Sequence, residues 1–254
     1  MNKDSLLPSG FANTVRIAPN EFIRSALFGV VKHATGRLAL QSVEIASLSN
    51  VKITYTGVAL SQNDLDVFLS ILYLARDNIL GTIVSFNASD ILRALNLVTK
   101  GDNVAFVDSS IERIMSAVIT VKSGSKRKYR GHLIEKSLSE NNANDCAYVI
   151  TLNRELINLF DYDSYTLLSA SIRSQLNGQL SKWLYAFYES HKQPHPMFVD
   201  TIRSLCGSTT KDLWRFRQQL RIALAELETV MTANNKPFSW VIDASDKVVL
   251  TVKR

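Results

Sequence analysis

A mixed α+β fold, built as two tandem winged helix-turn-helix domains behind an N-terminal arm, is what three features of this sequence predict. The same order of elements (helix, short strand, two helices, two-stranded hairpin) can be read once from Ser61 and again from Gln179. The third helix of each set carries a narrow apolar stripe and a polar outer side. Positive charge gathers at two places rather than along the whole chain. The resulting division is an arm over residues 1–57, a first winged-helix domain over 58–160 and a second over 161–254.

In the first set, "SQNDLDVFLSILYLAR" begins with Ser61 and Asp64 at capping-box spacing, and Leu65, Phe68, Leu69, Leu72 and Tyr73 form one helical face. "GTIVSF" is short and β-branched, as a strand requires. In "NASDILRALNL", Asn87 can cap a second helix that turns Ile91, Leu92 and Leu95 inward. "SSIERIMSAVITVKS" sets Ser109 three residues before Glu112, which predicts a third helix with Ile111, Ile114, Met115 and Val118 buried. Arg113, Ser116 and Thr120 then form its outer side. "YRGHLIEKSLSE" and "CAYVITLNR", separated by "NNAND", read as a hairpin with "GSKRK" at its entrance.

In the second set, "GQLSKWLYAFYESH" supplies the first helix, with Trp183, Tyr185 and Phe187 assigned to the core, and "HPMFV" the strand. "DTIRSLCG" is a second helix stopped by Gly207. The third helix is "TTKDLWRFRQQLRIALAEL", residues 209–227. At 100° per residue, Leu213, Phe216, Leu220, Leu224 and Leu227 share one side, while Lys211, Arg215, Gln218 and Ile222 take the other, flanked by Trp214 and Arg221. "FSWVID" and "KVVLTVKR", joined by "ASD", close the chain as a tight hairpin.

The 254 residues carry 29 Lys and Arg against 23 Asp and Glu, a surplus of +6. From Lys122 to Lys136 the local balance is +5, and from Lys211 to Arg221 it is +3, so the rest of the chain is slightly acidic. Focused charge of this kind suits duplex DNA, whose phosphates are gripped by Lys and Arg and whose base edges are read by Arg and Gln. The candidate DNA-binding residues are therefore Lys211, Trp214, Arg215, Gln218 and Arg221 in the second domain. In the first they are Arg113, Ser116 and Thr120 on the third helix and Lys126, Arg127, Lys128 and Arg130 beside the hairpin.

Enzymatic signatures are missing. No Gly-x-x-x-x-Gly-Lys-Ser/Thr run is present to cradle a triphosphate. His191 and His195 are separated by Pro194 and have no third ligand nearby, and the two cysteines, Cys146 and Cys206, match no metal spacing. The His pair of a rolling-circle relaxase is lacking too. The expectation is a DNA-binding protein, not an enzyme, with no cofactor and no metal. No apolar run approaches a membrane span and no signal-peptide order opens the chain, which predicts a cytoplasmic location. Residues 1–57 stand outside the repeat; apolar "FIRSALFGVV" and strand-like "IASLSNVKITYTGV" predict a partly ordered arm packed on the first domain or on a second copy.

Three stretches carry a family likeness: "IRSALF" (23–28), "YTGVAL" (55–60) and above all "SHKQPHPMFVDTIRSLCGSTTKDLWRFRQQLRIALAEL" (190–227). The last holds His191, Pro194, Pro196, Arg203, Cys206, Gly207 and Ser208 ahead of the basic helix, and resembles the TrfA family of plasmid replication initiators. The resemblance implies two winged helices that bind direct origin repeats, the iterons, and help open an adjacent AT-rich region. It also implies engagement of the host initiator DnaA, the helicase DnaB and the sliding clamp, and a shift between monomer and homodimer. Residues 81–145 diverge from the family pattern, and "ELINLF" (155–160) reads as a buried passage rather than a clamp-binding motif. A winged-helix transcriptional repressor, and a winged-helix protein-interaction module without DNA binding, are the alternative readings of the same residues.

Overall fold

The computed structural model describes residues 6–8, 10–31, 36–48, 50–142, 145–161 and 163–252, apart from the side chains of Arg127, Asn141, Asn142 and Val252. Within them two winged-helix units share one contiguous hydrophobic core. The first unit comprises α2 (Gln62–Leu74), β6 (Ile83–Asn87), α3 (Ala88–Ala94), α4 (Gly101–Ser116) and the hairpin β9 (Ile134–Asn142) and β10 (Asp145–Leu152). The second comprises α6 (Gln179–Glu189), β12 (Met197–Phe198), α7 (Val199–Leu205), α8 (Leu213–Ala233) and the hairpin β13 (Phe238–Ile242) and β14 (Lys247–Val252). In each, the short strand between helices one and two pairs with the last strand of the hairpin, giving sheet orders β6-β10-β9 and β12-β14-β13. The repeated element order is thus also a repeated topology. Lys253 and Arg254, read as the end of the closing strand, lie outside the described residues.

Local chemistry explains most of the starts and stops. Ser61 and Asp64 form the capping box of α2, the Asp64 carboxylate accepting from Ser61 N at 2.8 Å. Asp90 accepts from Asn87 N at 2.9 Å at the start of α3. The start of α6 is capped from a distance, by Glu226 of α8, which accepts from Asn177 N at 2.6 Å and from the Ser181 hydroxyl. Gly207, at φ +66°, ends α7 in the left-handed region that a side chain disfavours. Trp183, Tyr185 and Phe187 are all buried.

Several boundaries differ from the sequence expectation. The third helix of the first unit starts at Gly101, eight residues before Ser109, because Val104, Val107, Ile111 and Ile114 extend the apolar period backwards. It stops at Ser116, and β7 (Val118–Ser123) follows; the β-branched run places Ile119 and Val121 on the core face of a strand. Thr120 is therefore a strand residue. The expected strand 129–140 is two strands, β8 (Lys126–His132) and β9, turned at Gly131 (φ +157°) and buried Leu133. In the second unit α8 starts at Leu213 and continues six residues past Leu227.

The segment before the repeat supplies structure to both units. β3 (Ala39–Ile45) and β4 (Val51–Val58) join β7 and β8 in a four-stranded antiparallel sheet ordered β3-β4-β7-β8. β1 (Val15–Pro19) pairs with β11 (Tyr165–Ser169), the strand that leads through α5 (Ala170–Gln175) into the second unit. The 155–160 stretch forms a 3-10 helix, Arg154–Leu159, with Leu156 and Leu159 buried. At the junction Trp183 Nε1 donates to Ser25 O at 3.1 Å, Val30 N to Cys206 O at 2.8 Å and Arg24 to Ser190. Asp66 of α2 accepts from Arg173 of α5 and from Lys182 of α6, the latter at 2.7 Å. Those contacts fix one winged helix against the other.

Candidate nucleic-acid interface

α8 separates its two sides cleanly. Phe216, Leu220, Leu224 and Leu227 are buried, whereas Trp214, Arg215, Gln218, Arg221 and Ile222 are exposed, Trp214 at 59% and Ile222 at 71%; Lys211, expected on this helix, is exposed in the segment just ahead of it. The 21-residue helix is about 30 Å long, so its first half forms a cationic rod end of major-groove dimensions. Arg203 holds the approach to it, donating to Lys211 O at 2.6 Å while pairing with Asp200 at 2.6 Å. Arg215 rests 5.4 Å from the Trp214 ring and 3.4 Å from Asp212, both of its partners well exposed. Such a solvated pair costs little to break, which leaves the guanidinium available to a phosphate or guanine edge.

Arg217 is a different case and was not singled out by periodicity. It makes a bidentate pair with Asp246 at the tip of the β13–β14 hairpin, at 2.7 and 2.8 Å. The Arg217 hydrogen bonds hold the Asp246 carboxyl below the usual carboxylate range, Arg221 adding to the effect. The pair ties the wing to the helix. Its sequence signal is slight, one of two aspartates in the four-residue turn 243–246.

The first unit presents its charge differently. Arg113 does not lie on a free outer face: Nε and Nη2 donate to Asp64 at 3.1 and 2.8 Å, and Arg37 grips the other carboxylate oxygen. Burial raises the Asp64 pKa, but the charge of Arg113 and the Arg37 hydrogen bond outweigh it and hold the carboxyl below its usual value. Asp64 is fully buried, so the ion cluster belongs to the core. The exposed side of α4 instead offers Asp102, Ala105, Glu112 and Ser116, and is acidic. Ser116 donates to Arg113 O at 3.0 Å, an ordinary local contact.

The cations of this unit stand on the four-stranded sheet. Ile53, Tyr55, Ile119, Val121 and Tyr129 turn into the core. The register aligns Lys52, Lys122 and Arg127 in one cross-strand row and Thr54, Thr120 and Arg130 in the next, with a bulge between Val121 and Lys122. Lys52, Lys122, Lys126 and Arg130 are exposed and have no ion-pair partner among the described residues; the side chain of Arg127 lies outside them. Lys128 is committed elsewhere, at 2.8 Å from Glu21 and 3.3 Å from the Ser164 hydroxyl. The structure thus brings Thr120 and Arg130 together and adds Lys52 and Lys122, while Arg113 and Lys128 are consumed internally. Lys52 was legible only through the strict alternation of "VKITYTGV".

Cys146 and Cys206 are buried free thiols, and burial pushes that of Cys206 up to about 12. Among the described residues no group of His, Cys, Asp and Glu is placed to hold a metal, and no helix is long and apolar enough to cross a membrane.

Comparison with known proteins agrees with this architecture. A family model described as TrfA protein matches residues 5–248. The plasmid replication initiator protein TrfA of Escherichia coli is 26% identical over 223 residues, a match that covers 85% of this chain and 57% of that protein. The chain therefore spans little more than half the length of this curated relative. Among solved structures, domains 2 and 3 of RctB superpose with a TM-score of 0.62 at 14% identity, covering 92% of this chain and 96% of that one. The Pi initiator protein, solved in complex with iteron DNA, gives 0.56 at 12% identity, covering 76% and 94%. At these identities the structural likeness speaks to the winged-helix fold alone.

Proposed function

This chain belongs to the TrfA family, and from that premise we propose that it is a plasmid replication initiator that binds direct repeats at an origin, the iterons, through two winged helices. The observation that carries the proposal is the outward row Trp214, Arg215, Gln218 and Arg221 on a helix whose opposite stripe is sealed into the core, with exposed Lys211 just ahead of its first turn. That row offers phosphate donors, a fork suited to guanine and an amide suited to adenine on one surface. The likeness to the Pi initiator, whose structure contains iteron DNA, supports the same reading. In the first unit the contact falls to Lys52, Thr120, Lys122, Lys126 and Arg130 on the four-stranded sheet. Its role there is to position the duplex through phosphates rather than to read sequence.

Origin opening in this proposal draws on binding energy and DNA deformation, with strand separation completed by recruited host proteins: the initiator DnaA, the helicase DnaB and the sliding clamp. The protein acts in the cytoplasm, and passes between monomer and homodimer. Fluorescence anisotropy of labelled duplexes, with and without direct repeats taken from the DNA beside the coding sequence where such repeats occur, tests the proposal. Repeat duplex is expected to bind at least about a thousand-fold more tightly than random duplex, with a steep loss of affinity as salt rises. Equal and salt-insensitive binding of the two would reject it.

A further inference from the structure

Between the two units lies a cavity of about 340 Å³ whose wall is cationic in a way that DNA binding at α8 does not use. Arg16, Arg173 and Lys182 line it against a single carboxylate, Asp66, which Arg173 and Lys182 already neutralise. Arg16 is the unusual group. It is only 7% exposed, stacks 3.9 Å from the Tyr73 ring, and donates through Nη1 to the carbonyls of Asn13 and Val15 at 2.8 and 3.0 Å. Its Nε and Nη2 have no acceptor among the described residues, and neither is sealed from solvent. No carboxylate among the described residues pairs with it. The second cation near Tyr73, Arg76 at 4.0 Å, adds like charge on the same ring. Burial lowers the pKa of Arg16, Tyr73 opposes this and Arg76 reinforces it.

A buried guanidinium without a counter-ion is costly, and the cost is relieved by an anion that reaches its free edge. The remainder of the wall says what kind of anion. Leu95, Phe106 and Leu176 provide an apolar side, and Asn63 and Asn177 line the same space. The volume falls in the range of small-molecule sites, about 300–1,000 Å³, and far exceeds what a bare phosphate fills. We propose that this cavity binds a phosphate ester of nucleotide size, its phosphate on Arg16 and Lys182 and its base against the apolar wall. Since the wall is contributed by α2, α3 and α4 of one unit and by α5 and α6 of the other, the bound molecule bridges the two winged helices.

Isothermal titration calorimetry of the full chain with ADP, adenosine and inorganic phosphate as separate titrants tests this. ADP is expected to bind saturably at one site, with adenosine and inorganic phosphate each about ten-fold weaker or more. Arg16→Gln should weaken ADP by about ten-fold or more, and Arg16→Lys should recover part of the loss. Because Arg16 also packs on Tyr73, a second variant is needed: Ser174→Trp, at an exposed lining position, narrows the mouth without removing charge and should also lose ADP. Lys211→Gln with Arg215→Gln should keep ADP affinity unchanged, which separates the cavity from the α8 surface. The proposal is overturned if ADP gives no saturable heat, or if adenosine or phosphate alone binds as tightly. It is equally overturned if Ser174→Trp retains full affinity, or if the α8 variant loses it.

Discussion

Arg113 and Asp64, 49 residues apart in the chain, are joined by two hydrogen bonds of 3.1 and 2.8 Å, and this pair commits the cation in the last turn of α4 to a buried carboxylate. The same Asp64 carboxylate caps α2 and holds Arg37. One buried anion therefore organises a helix start, a helix-helix contact and a segment preceding the repeat.

Arg113→Ala should destabilise the protein by about 3 kcal/mol in urea unfolding at neutral pH, because it strips a partner from a fully buried carboxylate. Affinity for duplex should be unchanged once corrected for the folded fraction. The Asp64 carboxyl is depressed in the folded state, so its stabilisation is complete above the unfolded value of about 3.9 and is lost as pH falls through the lower folded value. The gap between variant and parent should accordingly narrow below about pH 4. A pH-independent gap would assign the loss to packing alone.

Arg215→Ala and Lys211→Ala should separate reading from gripping. Loss of a bidentate guanine contact at Arg215 costs about 1–3 kcal/mol on the cognate repeat and less on random duplex, so discrimination falls. Loss of Lys211 weakens binding to all sequences and lowers the slope of log affinity against log salt by about 0.9. Anisotropy titrations on cognate and scrambled duplexes over a salt series measure both. If Arg215→Ala keeps full discrimination while folded, that side chain does not read bases.

The combined variant Lys52→Gln, Lys122→Gln and Arg130→Gln should lower the salt slope by about 2.7, three phosphates at about 0.9 each, without altering sequence preference. Lys128→Gln is the matched control. Its ammonium is held by Glu21 and Ser164, so its removal should lower stability and leave the slope as it was. The reverse pattern would move the phosphate contact off the outer sheet face and onto the Lys128 side.

Why α8 was legible and the first unit only partly so follows from how each is built. The stripe from Phe216 to Leu227 recurs at helical spacing and its exposed side is polar, so burial follows from period alone. In α4, Ser109 and Glu112 have cap spacing but sit inside a helix whose true N-cap, Lys100, carries no capping side chain. Ile111, Ile114, Met115 and Val118 satisfy a helical stripe, yet Val118 begins a strand, since β-branched residues there find β4 and β8 as neighbours. That pairing partner is more than 60 residues upstream for Lys122 and Lys52, beyond the reach of any local window. The partners of Arg113 and Lys128 are likewise distant, so charge counting alone made them look free.

Asp246→Asn should loosen the wing of the second unit without unfolding it. Asp246 sits at φ +62°, a conformation asparagine tolerates, so the change removes the charge and half of a bidentate pair while sparing the turn. The Asp246 carboxyl is depressed by Arg217, so in the parent the tie is intact above about pH 3.9 and is lost as pH falls through the lower folded value. Hydrogen exchange should therefore speed up at the amides of Ser245 and Lys247, both of which donate to Asp243 within the same turn, in the variant at neutral pH. The freed Arg217 then stands beside Arg221 on α8, adding an unpaired cation next to the reading surface. Random-duplex affinity should rise or hold while cognate affinity falls, because the wing that orients the helix is no longer fixed to it. If exchange and both affinities stay at parental values, the Arg217–Asp246 pair has no part in orienting the interface.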